Sequence, residues 1–354
     1  MSRFFSEKYK NLTPYTPGEQ PRDMKYIKLN TNESPYLPSE DAIEMAAQAA
    51  RSLQLYPDPE CHELHEKLAS LYKVDKSMVL AGNGSDEILN FAFMAFCDKE
   101  HPARFPDITY GFYTVFAEIN GIPYSELPLN EDFTINISDY TNKNETVFIA
   151  NPNAPTGIAL SLEEIELIVK SNPDAVVVID EAYVDFGAES AVPLTKKYDN
   201  LLVVQTFSKS RSMAGARLGV AVGNAALIAD LNTIKYSTNP YNINRMTMAA
   251  GIGTLCDEEY TQKNCASIIE NREYATERMK KMGFEMTPSL ANFIFAKHKK
   301  IGGEALYQAL RERGILVRHF SKKRLEDYNR ITVGSREQME ILCDRLEEIL
   351  EEKK

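Results

Sequence analysis

Between residues 78 and 205 short apolar runs rich in β-branched residues alternate with longer stretches of helical period. Met78–Leu80, Val147–Ala150, Val176–Ile179 and Leu201–Gln205 read as strands. Ser85–Cys97 and Leu162–Ser171 read as helices between them, the second with a capping box of Ser161 and Glu164. Strands that are apolar on both sides and separated by helices predict a mostly parallel sheet covered on both faces. Upstream, Ser39–Leu53 and His62–Tyr72 also read as helices. The fold class expected is therefore α/β.

After about residue 245 the pattern changes. A long helix over Glu258–Lys281 precedes an Ala291–Lys297 strand. A helix over Gly303–Arg313 closes at Gly314, short strands follow at Ile315–Val317 and Arg330–Val333, and Glu337–Glu352 is a last helix. This predicts a smaller C-terminal α+β domain over 246–354, beside a large α/β domain over 37–245. Residues 1–36, rich in Pro and Tyr, show no clear element and read as an extended arm. The 354-residue length agrees with two domains at about 150 residues each.

Open α/β sheets bind ligands at the carboxyl ends of their strands, so the residues after each strand are the candidates. Gly82-Asn83-Gly84-Ser85-Asp86 opens a helix. It fits an anion cradle at a helix N-terminus or a tight turn with a serine cap. It is not the GxGxxG pattern of dinucleotide sites. Asn151-Pro152-Asn153-Ala154-Pro155-Thr156-Gly157 is a loop stiffened by two prolines. Asp180 ends an apolar strand, where a carboxylate needs a cation or acts as a cap. Lys209 follows another strand, and Arg217 lies eight residues on. A desolvated lysine near a second cation becomes a nucleophilic amine. Amine, carboxylate and phosphate cradle on one sheet edge point to pyridoxal phosphate.

Composition narrows the partners. Forty Lys and Arg against 51 Asp and Glu give a net charge of −11, which disfavours nucleic acid. No apolar run exceeds the seven residues Phe91–Cys97, too few for a membrane span, and MSRFFSEKYK is too polar for a signal peptide. Five scattered cysteines without a CxxC pair fit reduced thiols, so a cytoplasmic protein is expected. Cys61-His62-Glu63-Leu64-His65 spaces its histidines three apart, not the four of a zinc helix, so no metal is expected.

These motifs, in this order, resemble the histidinol-phosphate aminotransferase family of fold-type I pyridoxal-phosphate enzymes. Leu29-Asn30-Thr31-Asn32-Glu33, Tyr56-Pro57, Gly84-Ser85-Asp86-Glu87, Tyr110-Gly111, the Asn151–Gly157 loop, Asp180-Glu181-Ala182-Tyr183, Ser208-Lys209 and Arg330-Ile331-Thr332-Val333-Gly334 carry the resemblance. It implies pyridoxal 5′-phosphate bonded to Lys209, with Asp180 on the ring nitrogen, Tyr183 on the ring hydroxyl and Tyr110 stacked on the ring. Gly84, Ser85, Asp86, Ser208 and Arg217 are implied at the cofactor phosphate. Tyr15, Asn32, Tyr56, Arg318 and Arg330 are implied at a phosphorylated substrate; the two arginines could also be ordinary strand-end residues. The family carries Asn before Pro-Thr-Gly where this chain has Ala154, and Asn153 is the nearest substitute.

The resemblance further implies a homodimer in which Tyr56 also reaches the partner's cofactor. It implies transfer of an amino group from histidinol phosphate to 2-oxoglutarate, in histidine biosynthesis. The rivals are an aromatic amino-acid aminotransferase, a threonine-phosphate decarboxylase and a non-catalytic binding protein on the same fold. The last has no use for a reactive lysine.

Overall fold

A computed structural model describes residues 2–352. In chain order the strands are β1 (Ile27–Lys28), β2 (Val79–Gly82), β3 (Ala103–Pro106), β4 (Tyr124–Leu127), β5 (Thr146–Ala150), β6 (Val177–Asp180) and β7 (Leu201–Thr206). They continue with β8 (Gly219–Gly223), β9 (Phe284–Met286), β10 (Phe293–His298), β11 (Ile315–Leu316), β12 (Arg318–His319) and β13 (Tyr328–Thr332). The α-helices are α1 (Glu40–Ala49), α2 (His62–Tyr72), α3 (Ser85–Phe96), α4 (Phe112–Asn120) and α5 (Leu162–Ser171). After these come α6 (Ala225–Thr238), α7 (Arg245–Cys256), α8 (Glu258–Met282), α9 (Gly303–Glu312) and α10 (Arg336–Glu351).

The large sheet runs β2-β8-β7-β6-β5-β3-β4. From β4 through β7 every neighbour is parallel, and β8 is antiparallel to both β7 and β2. The alternation along β5, β6 and β7 explains their apolar runs. Val147, Ile149, Val177, Ile179, Leu201 and Val203 face one core cluster. Phe148, Ala150, Val178, Leu202 and Val204 face another. Both faces are buried, so neither side of a strand can be polar.

The second sheet, β12-β13-β10-β9, is antiparallel throughout. With α8, α9 and α10 it encloses its own apolar cluster around Ile294, Ile331 and Leu342. The stretch before residue 36 does hold an element. β1 pairs in parallel with β11, and Leu29 is tied on both sides, to Leu316 and Thr332. The arm is thus stitched to the C-terminal block, across the mouth of the large sheet.

Several elements escape the sequence patterns for physical reasons. β3 contains Arg104 and Pro106, and β4 is partly exposed, so neither reads as an apolar run. β8 is bounded by glycines. α7 is apolar around much of its circumference and holds Gly251 and Gly253. A Cβ at Gly253 would lie 2.5 Å from the Asp41 carbonyl oxygen, so glycine lets α7 pack directly against α1. α1 itself stops at Ala49 and tightens into a 3₁₀ turn over Ala50–Ser52, short of the expected Leu53.

Candidate active site

The carboxyl ends of β5, β6 and β7 meet the α3 N-terminus around a cavity of about 160 Å³. Ser85, Asp86, Tyr110, Ala154, Asp180, Tyr183, Ser208, Lys209 and Arg217 line it. They arrive from five separate stretches of chain at strand ends and loops, which is why the sheet topology creates the site.

Asp180 is the last residue of β6 and is buried. Tyr113 donates to its Oδ2 at 2.9 Å and the Ala182 N–H to its Oδ1 at 3.2 Å. Among the described residues no Lys, Arg or His pairs with it. Burial therefore pushes its carboxyl up to about 7. Its neighbour Glu181 is buried too, but Ser190, Ala191 and Gln205 donate to it away from the cavity.

Lys209 donates from Nζ to the Thr31 carbonyl oxygen at 3.1 Å and stands 5.9 Å from the Tyr183 ring centroid. Burial first, then the charge of Arg330, brings its amine down to about 8. A substantial neutral fraction then exists near physiological pH.

Arg217 sits in the left-handed region at φ 59°. Its Nη2 bonds Asp86 Oδ2 at 2.9 Å, and its Nη1 lies 3.5 Å from Ser208 Oγ. Tyr110 donates to the other Asp86 oxygen at 2.6 Å. Gly84 caps α3 at φ +80°, and a Cβ there would lie 2.6 Å from Arg217 Nη2. The guanidinium can face the helix N-terminus only because position 84 lacks a side chain. Free N–H groups, Ser85, Ser208 and Arg217 form a cradle suited to a phosphate.

Asn153 does not join this group. Its Oδ1 accepts from Thr109, and its Nδ2 donates to the Ile108 carbonyl and to Thr156. All its polar atoms brace the proline loop, and the cavity wall here is the methyl of Ala154. The expected contact from Asn153 to a cofactor ring is corrected on this ground. Asn151 is likewise occupied, accepting from the Leu160 N–H at 2.7 Å.

A larger cavity, about 690 Å³, adjoins the first and shares Tyr110, Ala154, Tyr183 and Lys209 with it. Tyr15, Asn32, Arg318 and Arg330 line it. Arg330 donates to the Asn30 carbonyl at 3.1 Å and lies over the Phe293 and Phe320 rings at 5.4 and 5.8 Å. Its Nε is buried without a partner among the described residues. Among the described residues Arg318 makes long hydrogen bonds, 3.4 Å, to the carbonyls of Thr16 and Pro17, and lies over the Phe320 ring at 5.8 Å. Tyr15 stacks on Phe112 at 4.3 Å. Tyr56 is not in either cavity. It is 77% exposed and stacks on Tyr241 at 4.5 Å.

Tyr113 and Thr31 are parts of the site that the sequence patterns miss. Tyr113 follows Tyr110 by three residues, so helical spacing could have placed it beside the site. Thr31 acts through its backbone, which leaves no side-chain signal. The other set-aside features are structural. His65 accepts the Ala81 N–H and burial pushes it down to about 4, while burial pushes Cys97 up to about 12. Among the described residues no cluster could hold a metal, and no helix is long and apolar enough to cross a membrane.

Residues 24–346 match the family described as aminotransferase class I and II. The chain belongs to that family. The aminotransferase is 49% identical to the histidinol-phosphate aminotransferase of Brachyspira hyodysenteriae over 352 residues, 99% of each chain. Among solved structures, the histidinol-phosphate aminotransferase of Sinorhizobium meliloti in complex with pyridoxal-5′-phosphate matches it with a TM-score of 0.84. That pair is 22% identical and covers 93% of this chain and 92% of the other. The L-threonine-O-3-phosphate decarboxylase of Porphyromonas gingivalis gives 0.80 at 23% identity, covering 92% and 99%. The same backbone therefore serves different reactions, and the side chains of the two cavities must decide between them. An aminotransferase needs an amino substrate and a 2-oxo acid, and both cavities open onto Lys209.

Proposed function

We propose that this aminotransferase uses pyridoxal 5′-phosphate to move the amino group of histidinol phosphate to 2-oxoglutarate, a step of histidine biosynthesis. The observation that carries the reading is the joining of two cavities at Lys209. One holds a carboxylate without a cation and an anion cradle. The other holds an arginine without a full set of acceptors.

The residues fit the cofactor. The cradle of Gly84, Ser85, Ser208 and Arg217 would hold its phosphate, and Asp180 would pair with a cationic ring nitrogen. Tyr110 and Ala154 would lie against the ring, with Tyr183 at its hydroxyl. When bound, the cofactor supplies an aldehyde that bonds amines reversibly and a ring that accepts electron density. Lys209 supplies the amine that bonds it and, once released, moves a proton at the substrate α-carbon as base and then acid. Its amine near 8 suits both directions around neutral pH. Asp180, ionised against the ring cation, keeps that positive charge in place as negative charge develops. Arg330 and Arg318 would grip the substrate phosphate, with Tyr15 and Asn32 along the cavity wall.

We further propose a cytoplasmic homodimer. Leu53, Leu55 and Tyr56 are all more than half exposed, an apolar edge that a second copy would cover. That copy would receive Tyr56 at its own cofactor and substrate phosphate, by two-fold exchange. Within each copy we read an arm, a large domain and a smaller C-terminal one. Because Ala250 and Ile252 of α7 join the large sheet's core, we assign α7 to the large domain, which moves the boundary expected at 245 past Cys256.

The test is a panel of amino donors supplied with 2-oxoglutarate, following glutamate. Histidinol phosphate should give the highest kcat/KM. Preference for an aromatic amino acid would replace the substrate assignment. Carbon dioxide from threonine phosphate would replace the reaction, and no turnover with any donor would reject catalysis.

A further inference from the structure

Asn32 belongs to the arm, is 1% exposed and holds a left-handed backbone at φ 56°. Three contacts fix it. The Asn292 amide donates to its carbonyl oxygen at 3.0 Å, its own N–H donates to Thr332 Oγ1 at 2.9 Å, and Thr332 Oγ1 stands 3.1 Å from its Oδ1. In that last bond the Thr332 hydroxyl donates. The backbone N–H can only donate and an amide oxygen can only accept. Thr332 therefore takes the backbone proton in a hydrogen bond and gives its own hydroxyl proton to Oδ1. Thr332 is buried and its hydroxyl proton has no other acceptor among the described residues, so the oxygen end of the Asn32 amide faces it.

The nitrogen end, Nδ2, lies 3.0 Å from the Tyr183 hydroxyl and can only donate. The phenol oxygen must accept there, and its own proton must point elsewhere. Among the described residues that proton has no acceptor, while Tyr183 lines the cavity shared with Asp180 and Lys209. Ala154, in the same wall, brings no side-chain donor.

We infer that Asn32 is a positioning residue: locked by Thr332, its amide turns the Tyr183 hydroxyl proton into the cavity, as a donor to the cofactor's ring oxygen. This rests on the pyridoxal-phosphate reading above. Burial raises the Tyr183 phenol above its ordinary value; Arg330 and the Asn32 bond work against that, and Asp180 and Asp86 add to it. Lys209 faces its ring. The Asn32 bond makes the phenol a stronger donor without adding charge.

The experiment is a pH titration of the bound-cofactor absorbance in the holoenzyme. A donor at the ring oxygen draws density from it and loosens the proton shared between ring and Lys209. Losing that donor should raise the titration midpoint. Thr332→Val and Asn32→Ala should each raise it by about one pH unit. Thr332→Ser, which keeps the hydroxyl, should hold the wild-type midpoint. In a Tyr183→Phe background, Asn32→Ala should add nothing, since its effect passes through the phenol. A shift that adds in that background, or midpoints unmoved by both variants, would overturn the inference. Should Asn32→Ala not fold, Thr332→Val against Thr332→Ser decides alone. A wild-type protein with no pH-dependent cofactor absorbance would instead strike the underlying pyridoxal-phosphate reading.

Discussion

At the mouth of the large sheet, Asp180, Lys209 and Arg217 come from one stretch of chain and stand at the ends of β6 and β7 or just beyond. In the adjoining cavity, Tyr15 and Asn32 come from the arm, while Arg318 and Arg330 come from the C-terminal sheet. Hydrogen bonds there join residues 300 apart, such as Arg330 to Asn30. The first region is held by a core buried on both sheet faces. The second is held by a two-residue strand pair and a few polar bonds. On the proposed function, chemistry would rest on the part held by the buried sheet and recognition on the part that needs fewest changes to alter.

If that division is right, each region can be damaged without the other. Lys209→Ala has the largest expected effect. Removing the amine takes away both the covalent link and the proton carrier, so kcat should fall on the order of 10⁴-fold. The borohydride-reducible absorbance should vanish, while a phosphorylated amine still binds the second cavity. A variant that kept the reducible absorbance would remove Lys209 from the role and dissolve the division.

Arg330→Ala should act the other way round. Its guanidinium stands 5.4 and 5.8 Å from two ring centroids and its buried Nε has no partner among the described residues, so losing it should weaken a phosphorylated donor by about 2–5 kcal/mol. KM should carry the loss and the cofactor absorbance should stay. Arg318→Ala should cost less, because its present contacts are long and more open. Unchanged KM in both would place the substrate phosphate elsewhere.

The two regions were also unequally legible in the sequence. Asp180 and Lys209 follow apolar runs, so strand periodicity alone sets them at one edge. The sheet's buried strands were readable for the same reason, whereas β3 and β4 were hidden by Arg104, Pro106 and partial exposure. Nothing local places Arg330 opposite Asn30, because that approach depends on the pairing of β1 with β11. The resemblance to a family, not periodicity, put Arg318 and Arg330 in the cavity. Asn153 misled because a loop position says little about which way an amide turns. Three internal hydrogen bonds decided it.

A smaller effect sharpens the contrast, because a rigid mouth can store unfavourable charge. Asp180 keeps a carboxyl that burial raises to about 7, well above its unfolded value near 3.8. Between those values the folded protein binds the proton that the unfolded chain has lost. Its stability then falls as pH rises through that window and levels off above about 7. In cofactor-free protein, Asp180→Asn removes the charge. It should be more stable than wild type by about 1–3 kcal/mol at pH 8. Tyr113 and the Ala182 N–H then share one acceptor oxygen, which limits the gain. The gap should narrow steadily from pH 7 toward pH 5, read as thermal midpoints. Adding pyridoxal phosphate should reverse it, since only the carboxylate can answer a ring cation. A gap independent of pH would mean that Asp180 is ionised in the folded protein as it is in the unfolded chain, at no cost from burial. The mouth would then store no unfavourable charge, and its contrast with Arg330 in the second cavity would lose its electrostatic basis.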